Sequence, residues 1–268
     1  MLHMICCVKQ VPDPEAPASQ FKVDEAAKKV LPIPGVDPVA DEYAVRGVEA
    51  ALRIREALGE AKITILTLGP EAARDAVKKA LAMGADEGVQ LTDKAFEDGD
   101  SFATARALAA AIKKLEPFDL VFCGRQAPDW DVGVTPSVIA ELLGLPCVTR
   151  ACDVKVSDGT LTVERVLMDG FETVEVRLPA VVTISNELGE PRYPQLREIM
   201  AAARKPVAIW SAADLGLDPS QVGTAGSVLS LDRLYVPVHE AKCEFIEGET
   251  MEEAAEKLAA KLRDAKLI

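Results

Sequence analysis

Short apolar runs alternate with amphipathic stretches through the first half of the 268-residue chain. The apolar runs predict four strands, over Met4–Lys9, Lys62–Leu68, Gly88–Leu91 and Leu120–Cys123. The other stretches repeat apolar residues at the period of a helix, and they predict helices from Asp37 to about Leu58, from Ala73 to Gly84, over Ser101–Leu115 and over Thr135–Leu143. Strands joined by helices pair in parallel through right-handed crossovers. The chain is therefore predicted to be an α/β protein with a doubly wound parallel sheet.

The pattern changes in the second half of the chain. Leu161–Val166 and Thr173–Leu178 alternate in polarity around the turn dipeptide Asp169-Gly170. They predict an antiparallel hairpin added to the sheet. The continuous apolar run Ala180–Ile184 is typical of a buried strand.

The C-terminal part is less regular, with a short helix predicted near Leu196–Ala203 and an amphipathic helix over Met251–Leu267. Residues 205–250 contain little that could form a core of their own. We therefore divide the chain into an α/β domain, residues 1–205, and a C-terminal arm with its helix, residues 206–268. A segment too apolar to be disordered lies against another surface. Two alternatives stay open, because the arm either packs on its own domain or clasps a partner subunit.

Composition limits the classes of function. Apolar residues make up 49% of the chain and aromatic residues only 4%, so the core is built from Ala, Val, Leu and Ile, which suits helices packed on a parallel sheet. The formal charge of −13 would repel nucleic acid. The six cysteines include no CxxC pair, and no apolar run approaches 18 residues. We expect a cytoplasmic protein with reduced thiols that neither binds nucleic acid nor inserts into a membrane.

Ligands of open parallel sheets bind beyond the carboxyl ends of the strands. Three loops meet this condition, Cys7–Val11, Leu68–Pro70 and Gly124–Thr135. The third loop leads into a helix that Thr135 can cap, with Pro136 at its first position, and the free amides of a helix start suit a phosphate.

The charged residues of the third loop fit a nucleotide with a division of roles. Arg125 would supply positive charge, whereas Asp129 and Asp131 would repel a phosphate and instead shape the loop through Asx turns or face ribose hydroxyls. A metal site on the two carboxylates is the weaker alternative, and we predict no metal. An ordinary connection is the other alternative, which the length of the loop disfavours.

Signatures of catalysis are missing from the sequence. The two histidines, His3 and His239, stand apart, and the chain has no Gly-x-Ser-x-Gly, no Gly-x-Gly-x-x-Gly after the first strand and no Walker Gly-Lys-Ser/Thr. The pattern favours a nucleotide-binding protein over a stand-alone enzyme, and we predict no catalytic residue.

A series of short motifs occurs in a specific order along the chain. In chain order they are Val8-Lys9-Gln10-Val11-Pro12-Asp13, Leu81-Ala82-Met83-Gly84-Ala85-Asp86, Cys123-Gly124-Arg125-Gln126-Ala127, Asp169-Gly170 with Glu172, Leu178-Pro179-Ala180-Val181-Val182-Thr183 and Glu190-Pro191-Arg192-Tyr193-Pro194. Each motif is weak alone, but together and in this order they resemble the beta subunits of electron-transfer flavoproteins.

The resemblance implies a fold of the adenine nucleotide alpha hydrolase-like type and a heterodimer with an alpha subunit that carries the redox FAD. The beta subunit of this family buries AMP or, in electron-bifurcating members, a second FAD. The implied nucleotide-binding positions, which include the third loop, are Cys7, Val8, Lys9, Asp37, Pro38, Val39, Ala40, Leu68, Gly124, Arg125, Gln126, Ala127, Asp129, Asp131, Gly133, Val134, Thr135 and Pro136.

The resemblance also implies how the carrier meets its partners. Leu196 falls where the family places a leucine that docks an acyl-CoA or related dehydrogenase, although its spacing alone fits an ordinary packed leucine. Many members have Glu where Val166 stands, so the flavin domain of the partner is expected to rest differently here. Asp37 replaces a common Asn before Pro38, and both residue types cap helices.

The tail decides between the two nucleotides only weakly. Gly223-Thr224-Ala225-Gly226-Ser227, His239 and Cys243-Glu244-Phe245 resemble the longer tail of bifurcating beta subunits, which favours FAD over AMP and electron bifurcation with NADH. The predicted function is electron relay from dehydrogenases to an acceptor. The alternative is an adenine-nucleotide-binding or hydrolysing protein of the universal stress or PP-loop type, although the PP-loop Ser-Gly-Gly is absent after the first strand.

Overall fold

The structure, a computed structural model, describes residues 1–237 and 243–268. It divides the chain into two compact units, one made of Met1–Lys22 and Val30–Asp232 and the other of Val23–Lys29 and Arg233–Ile268. His239 lies outside the described residues.

Strands and helices alternate along the described chain. The strands are β1 Leu2–Cys7, β2 Gln10–Val11, β3 Val23–Asp24, β4 Lys29–Val30, β5 Val39–Ala40, β6 Ala61–Leu68, β7 Glu87–Leu91, β8 Leu120–Gly124, β9 Cys147–Ser157, β10 Thr160–Val166, β11 Phe171–Arg177, β12 Ala180–Ile184 and β13 Val207–Trp210. The α-helices are α1 Glu42–Leu58, α2 Arg74–Met83, α3 Ser101–Lys114, α4 Thr135–Leu143, α5 Leu196–Ala202 and α6 Met251–Asp264.

Nine of these strands form one sheet in the order β11-β10-β9-β12-β8-β1-β6-β7-β13. In this spatial order, all neighbouring strands from β9 through β12, β8, β1, β6 and β7 to β13 are parallel. At the other end of the sheet, β10 pairs antiparallel with both β9 and β11. The predicted α/β class, parallel sheet and added hairpin are confirmed.

Alternation along the buried strands divides the core between the two faces of the sheet. Met4 and Cys6 pack on the face covered by α1 and α2. Ile5 lies on the face covered by α3 and α4, and the half-buried Cys7 packs there too. Gly47 of α1 faces the sheet, where a Cβ at this position would be in ordinary van der Waals contact with the Cβ of Phe122 at 3.6 Å.

Two strands of the sheet were not predicted. β9 joins the predicted hairpin to the parallel part, and it contains Arg150 at a φ of 62°, where its pairing with β12 shifts register. β13 pairs with β7 at the edge of the sheet, so residues 207–210 continue the sheet beyond the boundary predicted at residue 205. The compact unit that contains the sheet ends at Asp232.

The smaller unit contains α6, which is capped by Thr250, whose side chain accepts from the amide of Glu253. No residue of α6 is buried in the isolated chain. None of the helices in the described part of the chain is long and apolar enough to cross a membrane.

Candidate functional site

The predicted ligand loops meet at one edge of the sheet. β1 lies between β6 and β8, and all three strands run in the same direction, so their carboxyl ends are neighbours. Cys7 ends β1, Leu68 ends β6 and Gly124 ends β8. The structure therefore brings together three of the segments that the sequence indicated.

The first loop also gathers the segment from Asp37 to Ala40. The amide of Val8 donates to the carbonyl of Leu66 at 2.8 Å, which continues the parallel pairing beyond β1. β2 then pairs antiparallel with β5, so Val39 and Ala40 lie beside this loop. Asp37 and Pro38 precede β5 and are exposed.

The start of α1 differs from the prediction. Asp37 was expected to cap this helix with Pro38 at its first position, but the helix begins at Glu42 and is capped by Asp41. The Asp-Pro pair suits a helix start locally, yet the pairing of β5 with β2 keeps the next two residues extended. The amide of Asp41 donates to the carbonyl of Lys9 at 2.8 Å, which fixes the helix start at the end of β1.

Asp41 is a buried carboxylate at the edge of the sheet, only 2% exposed. Its Oδ2 accepts from the amide of Ala44 at 2.9 Å, and its Oδ1 is buried without a hydrogen-bond partner among the described residues. Burial raises the pKa of Asp41 from 3.8 to about 6, against the opposing effects of amide hydrogen bonds and of the charge on Lys9. The site therefore contains a carboxyl group that titrates in mildly acidic solution.

Gly124 allows α1 to reach the end of β8. A Cβ at this position would lie 2.8 Å from the amide nitrogen of Ala44, from Oδ2 of Asp41 and from the Cβ of Tyr43. These distances are too short for any side chain without movement of the helix. Only glycine fits here.

An ion pair links the first and third loops. Lys9 Nζ lies 2.6 Å from Oδ2 of Asp129, which compensates the carboxylate that sequence analysis judged repulsive to a phosphate. The other carboxylate, Asp131, accepts from Nε2 of Gln126 at 2.5 Å, and its own amide donates to the carbonyl of Ala127 at 2.9 Å. Both acidic residues therefore shape the loop through contacts within the chain.

Arg125 is engaged by side chains beside the end of β12. Its Nε donates to Gln126 at 3.0 Å and its Nη1 donates to Ser185 Oγ at 3.3 Å, while the guanidinium lies 5.4 Å from the ring centre of Tyr43. Ser185 Oγ also donates to the carboxylate of Glu187.

The third loop ends at a helix start that no side chain caps. α4 begins at Thr135, so Thr135 is its first residue rather than its cap, and the cap position belongs to Val134, which makes no side-chain capping bond. Pro136, predicted at the first helical position, is instead the second residue of the helix and is buried in its first turn, where it needs no amide partner. Gly133 has a φ of 65° and turns the chain into the helix. The first amides of α4 therefore have no side-chain cap among the described residues, which makes them suited to an anion.

Sequence reasoning missed three residues of this edge, Asp41, Tyr43 and Ser185. Asp41 carries a recognisable signal, because an aspartate three residues before a buried alanine fits an N-cap as well as Asp37 does. Tyr43 and Ser185 carry none, since they reach Arg125 through packing between distant segments. No cluster of three or more His, Cys, Asp or Glu suited to a metal occurs in the described ranges.

A second candidate region surrounds Leu196, which is 74% exposed at the start of α5. Ile199 and Met200 follow at helical spacing on the same side and are also exposed, and Tyr193 precedes them at 93% exposure. We call these four residues the α5 surface. Gln195 and Glu198 form a capping box that fixes the helix start.

Comparison with known proteins gives the class of the protein. A model of the electron transfer flavoprotein domain matches residues 35–215. The electron transfer flavoprotein subunit beta of Thermoanaerobacterium thermosaccharolyticum is 38% identical over 268 residues, the whole of both chains. The caffeyl-CoA reductase-Etf complex subunit CarD of Acetobacterium woodii is 36% identical over 267 residues, 100% of both chains. The beta subunit of Megasphaera elsdenii is 36% identical over 242 residues, 88% of each chain.

The chain belongs to the electron-transfer flavoprotein family. Within that family it is a beta subunit, with a role in electron transfer. The resemblance drawn from the short motifs is thereby confirmed.

Proposed function

We propose that this beta subunit pairs with a flavin-bearing alpha subunit, buries an adenine nucleotide at the carboxyl edge of its sheet and docks a dehydrogenase on its α5 surface. The observation that carries the nucleotide site is the convergence of the ends of β1, β6 and β8 on a loop that leads to the uncapped start of α4. Ligands of parallel sheets bind in this position.

The residues present fit a nucleotide phosphate. Gly133 places the backbone in the left-handed region directly before the helix start, and the amides that follow are suited to an anion. The ion pair of Lys9 with Asp129 removes the repulsion that the carboxylate would otherwise exert. Bound here, FAD supplies a flavin that accepts electrons, whereas AMP supplies only binding energy.

The tail motifs favour FAD as the nucleotide. The relative CarD favours an acyl-CoA or related dehydrogenase as the partner, because CarD belongs to a complex with a CoA-ester reductase. Bifurcation with NADH accompanies FAD in this proposal. The exposed helix α6 and the rest of the C-terminal arm supply surface for the alpha subunit, and a permanent heterodimer buries more than about 2,000 Å².

The nucleotide is identified from the purified heterodimer. Visible absorption gives the number of flavins, and mass spectrometry of the denatured protein distinguishes AMP from FAD. Absence of any adenine compound would refute the nucleotide site, and a beta chain that stays monomeric beside its co-expressed alpha subunit would refute the heterodimer.

A pair of glycine variants locates the phosphate. Gly133→Glu puts a negative charge at the start of α4, so we expect the bound nucleotide to be lost. Gly133→Gln is the matched control, because it places a side chain of the same size at the same φ of 65° and 3.0 Å from the carbonyl oxygen of Arg125, but carries no charge. Equal nucleotide loss in both variants would mean that strain, not charge, removes it.

A further inference from the structure

The α5 surface follows a stretch of chain with no regular structure. Residues 189–195 lie between the short turn Asn186–Leu188 and α5 and form neither helix nor strand. Such a segment needs other contacts to hold one conformation. Its contacts come from α1, whose residues Arg46, Glu49, Arg53 and Glu56 are spaced to lie along one side of the helix.

Glu49 is the centre of these contacts. Its side chain is only 5% exposed, and its Oε2 lies 2.8 Å from Nε of Arg192 and 3.2 Å from the amide nitrogen of the same residue. Arg192 Nη2 donates to Oε1 at 3.1 Å, which makes the pairing bidentate. Arg53 approaches Oε1 from the other side at 2.9 Å and also donates to the carbonyl of Leu188 at 3.0 Å.

The charges keep this arrangement in place. Burial raises the pKa of Glu49, but hydrogen bonds from Arg192 and Arg53 outweigh it and leave the pKa below its ordinary value. The hydrogen bonds that Arg192 donates to the carboxylates of Glu49 and Glu56 raise its pKa above its ordinary range. A buried charge that loses one partner is strongly unfavourable, so the pair holds the backbone at Arg192 against rotation.

We propose that Glu49 is a positioning residue for docking, which holds Arg192 and thereby presents the α5 surface in its binding orientation. This inference rests on the proposed docking function. Tyr193 directly follows Arg192, and Leu196 lies four residues after Arg192. The backbone orientation at Arg192 therefore determines where both residues lie. A surface ordered before binding loses less conformational entropy when the partner arrives.

Steady-state electron transfer tests the inference with the intact heterodimer. The electron donor is an acyl-CoA dehydrogenase that reduces the wild-type heterodimer, with its acyl-CoA substrate and a dye as terminal acceptor. Glu49→Gln should raise the KM for the heterodimer about fivefold to tenfold and change kcat less than about twofold, because a displaced surface weakens docking rather than chemistry. Arg192→Lys, which keeps the charge but not the bidentate fork, should do the same with less loss of stability.

Glu56→Gln is the matched control, since Glu56 pairs with the same guanidinium of Arg192, at 2.5 Å, but is itself exposed. We expect its KM to change less than about twofold. A double variant, Glu49→Gln with Leu196→Ala, should have the KM of Leu196→Ala alone, because both act on one surface. If the KM of the double variant rises by the product of the two single-variant factors, Glu49 does not act through the α5 surface and the positioning role is wrong.

The test distinguishes failure of the docking proposal from failure of the positioning role of Glu49. If Leu196→Ala leaves KM unchanged, docking on the α5 surface is wrong and the inference falls with it. If Leu196→Ala raises KM while Glu49→Gln and Arg192→Lys lower only the melting temperature, docking stands and Glu49 is merely structural.

Discussion

The two candidate regions of the larger unit are held by opposite means. At the carboxyl edge of the sheet, polar groups are fixed by backbone pairing and by a close approach of α1 to Gly124. On the α5 surface, exposed apolar groups follow a segment that is fixed by ion pairs to α1. A small-ligand site that is built from strand ends tolerates little change in shape, whereas a docking surface depends on the orientation of a few side chains.

The largest expected effect comes from filling the contact between α1 and β8. Gly124→Val should lower the free energy of unfolding by about 3 kcal/mol and abolish nucleotide binding, because its Cβ has no space beside Ala44 and Tyr43. Chemical denaturation and nucleotide content measure both. Gly170→Val is the control, since a Cβ at Gly170 meets nothing within 4 Å. Equal destabilisation by both variants would contradict the special role of Gly124.

The second prediction concerns pH. The raised pKa of Asp41 means that the folded state holds its proton more tightly than the unfolded state, so this group stabilises the fold below pH 3.8 and that stabilisation is lost as pH rises through about 6. Asp41→Asn keeps the cap but removes the titration. Between pH 4 and pH 7, the free energy of unfolding of the Asp41→Asn variant should rise relative to that of wild type by up to about 3 kcal/mol. Parallel stability curves for the two proteins would show that Asp41 does not titrate in this range.

The docking region is tested by Leu196→Ala. Loss of an apolar side chain that fills a partner pocket costs about 2 kcal/mol, so the KM for the heterodimer should rise about tenfold or more. Nucleotide content and melting temperature should not change, because Leu196 is exposed. Ile209→Ala, on the exposed edge strand β13, should have little effect on KM. If Leu196→Ala lowers the melting temperature but leaves electron transfer per folded molecule unchanged, Leu196 packs within the chain and does not dock a partner.

The smallest effect on binding is expected at Lys9. An ion pair with a half-exposed lysine contributes about 1 kcal/mol, so Lys9→Met should change unfolding only slightly but should lower nucleotide affinity severalfold by leaving the largely buried carboxylate of Asp129 without its partner. Lys155→Met breaks a pair of the same length, 2.6 Å, with Asp153 on β9, away from the strand ends. Titration of AMP into the nucleotide-free heterodimer compares the two. If the two variants bind AMP with equal affinity, Lys9 does not contribute to the nucleotide site.

Local patterns predicted the sheet because its central strands are short, apolar and separated by clear helices. Ala180–Ile184 and Thr135–Leu143 were predicted with the bounds that the structure has. β9 was missed because it mixes Asp153, Lys155 and other polar residues with apolar ones, and β13 because Pro206 precedes a partly exposed edge strand.

The missed parts of the two regions depend on contacts between distant residues. The choice of Asp41 over Asp37 as the helix cap follows from the pairing of β2 with β5, which a local pattern does not contain. The bond of Glu49 to Arg192 joins residues 143 positions apart. Resemblance supplied Leu196 as a docking residue, but it supplied nothing about what orients it.

The position of β12 has a consequence for the order in which the chain assembles. β12 lies between β8 and β9, so a chain synthesised only as far as Arg177 contains the strands on both sides of β12 but not β12 itself, which joins them. Until Ala180–Ile184 emerges, β9, β10 and β11 can pair only with one another. Because domains assemble as their segments leave the ribosome, Arg192 reaches Glu49 only after this closing strand. The proposed docking surface is therefore among the last parts of the molecule to take shape.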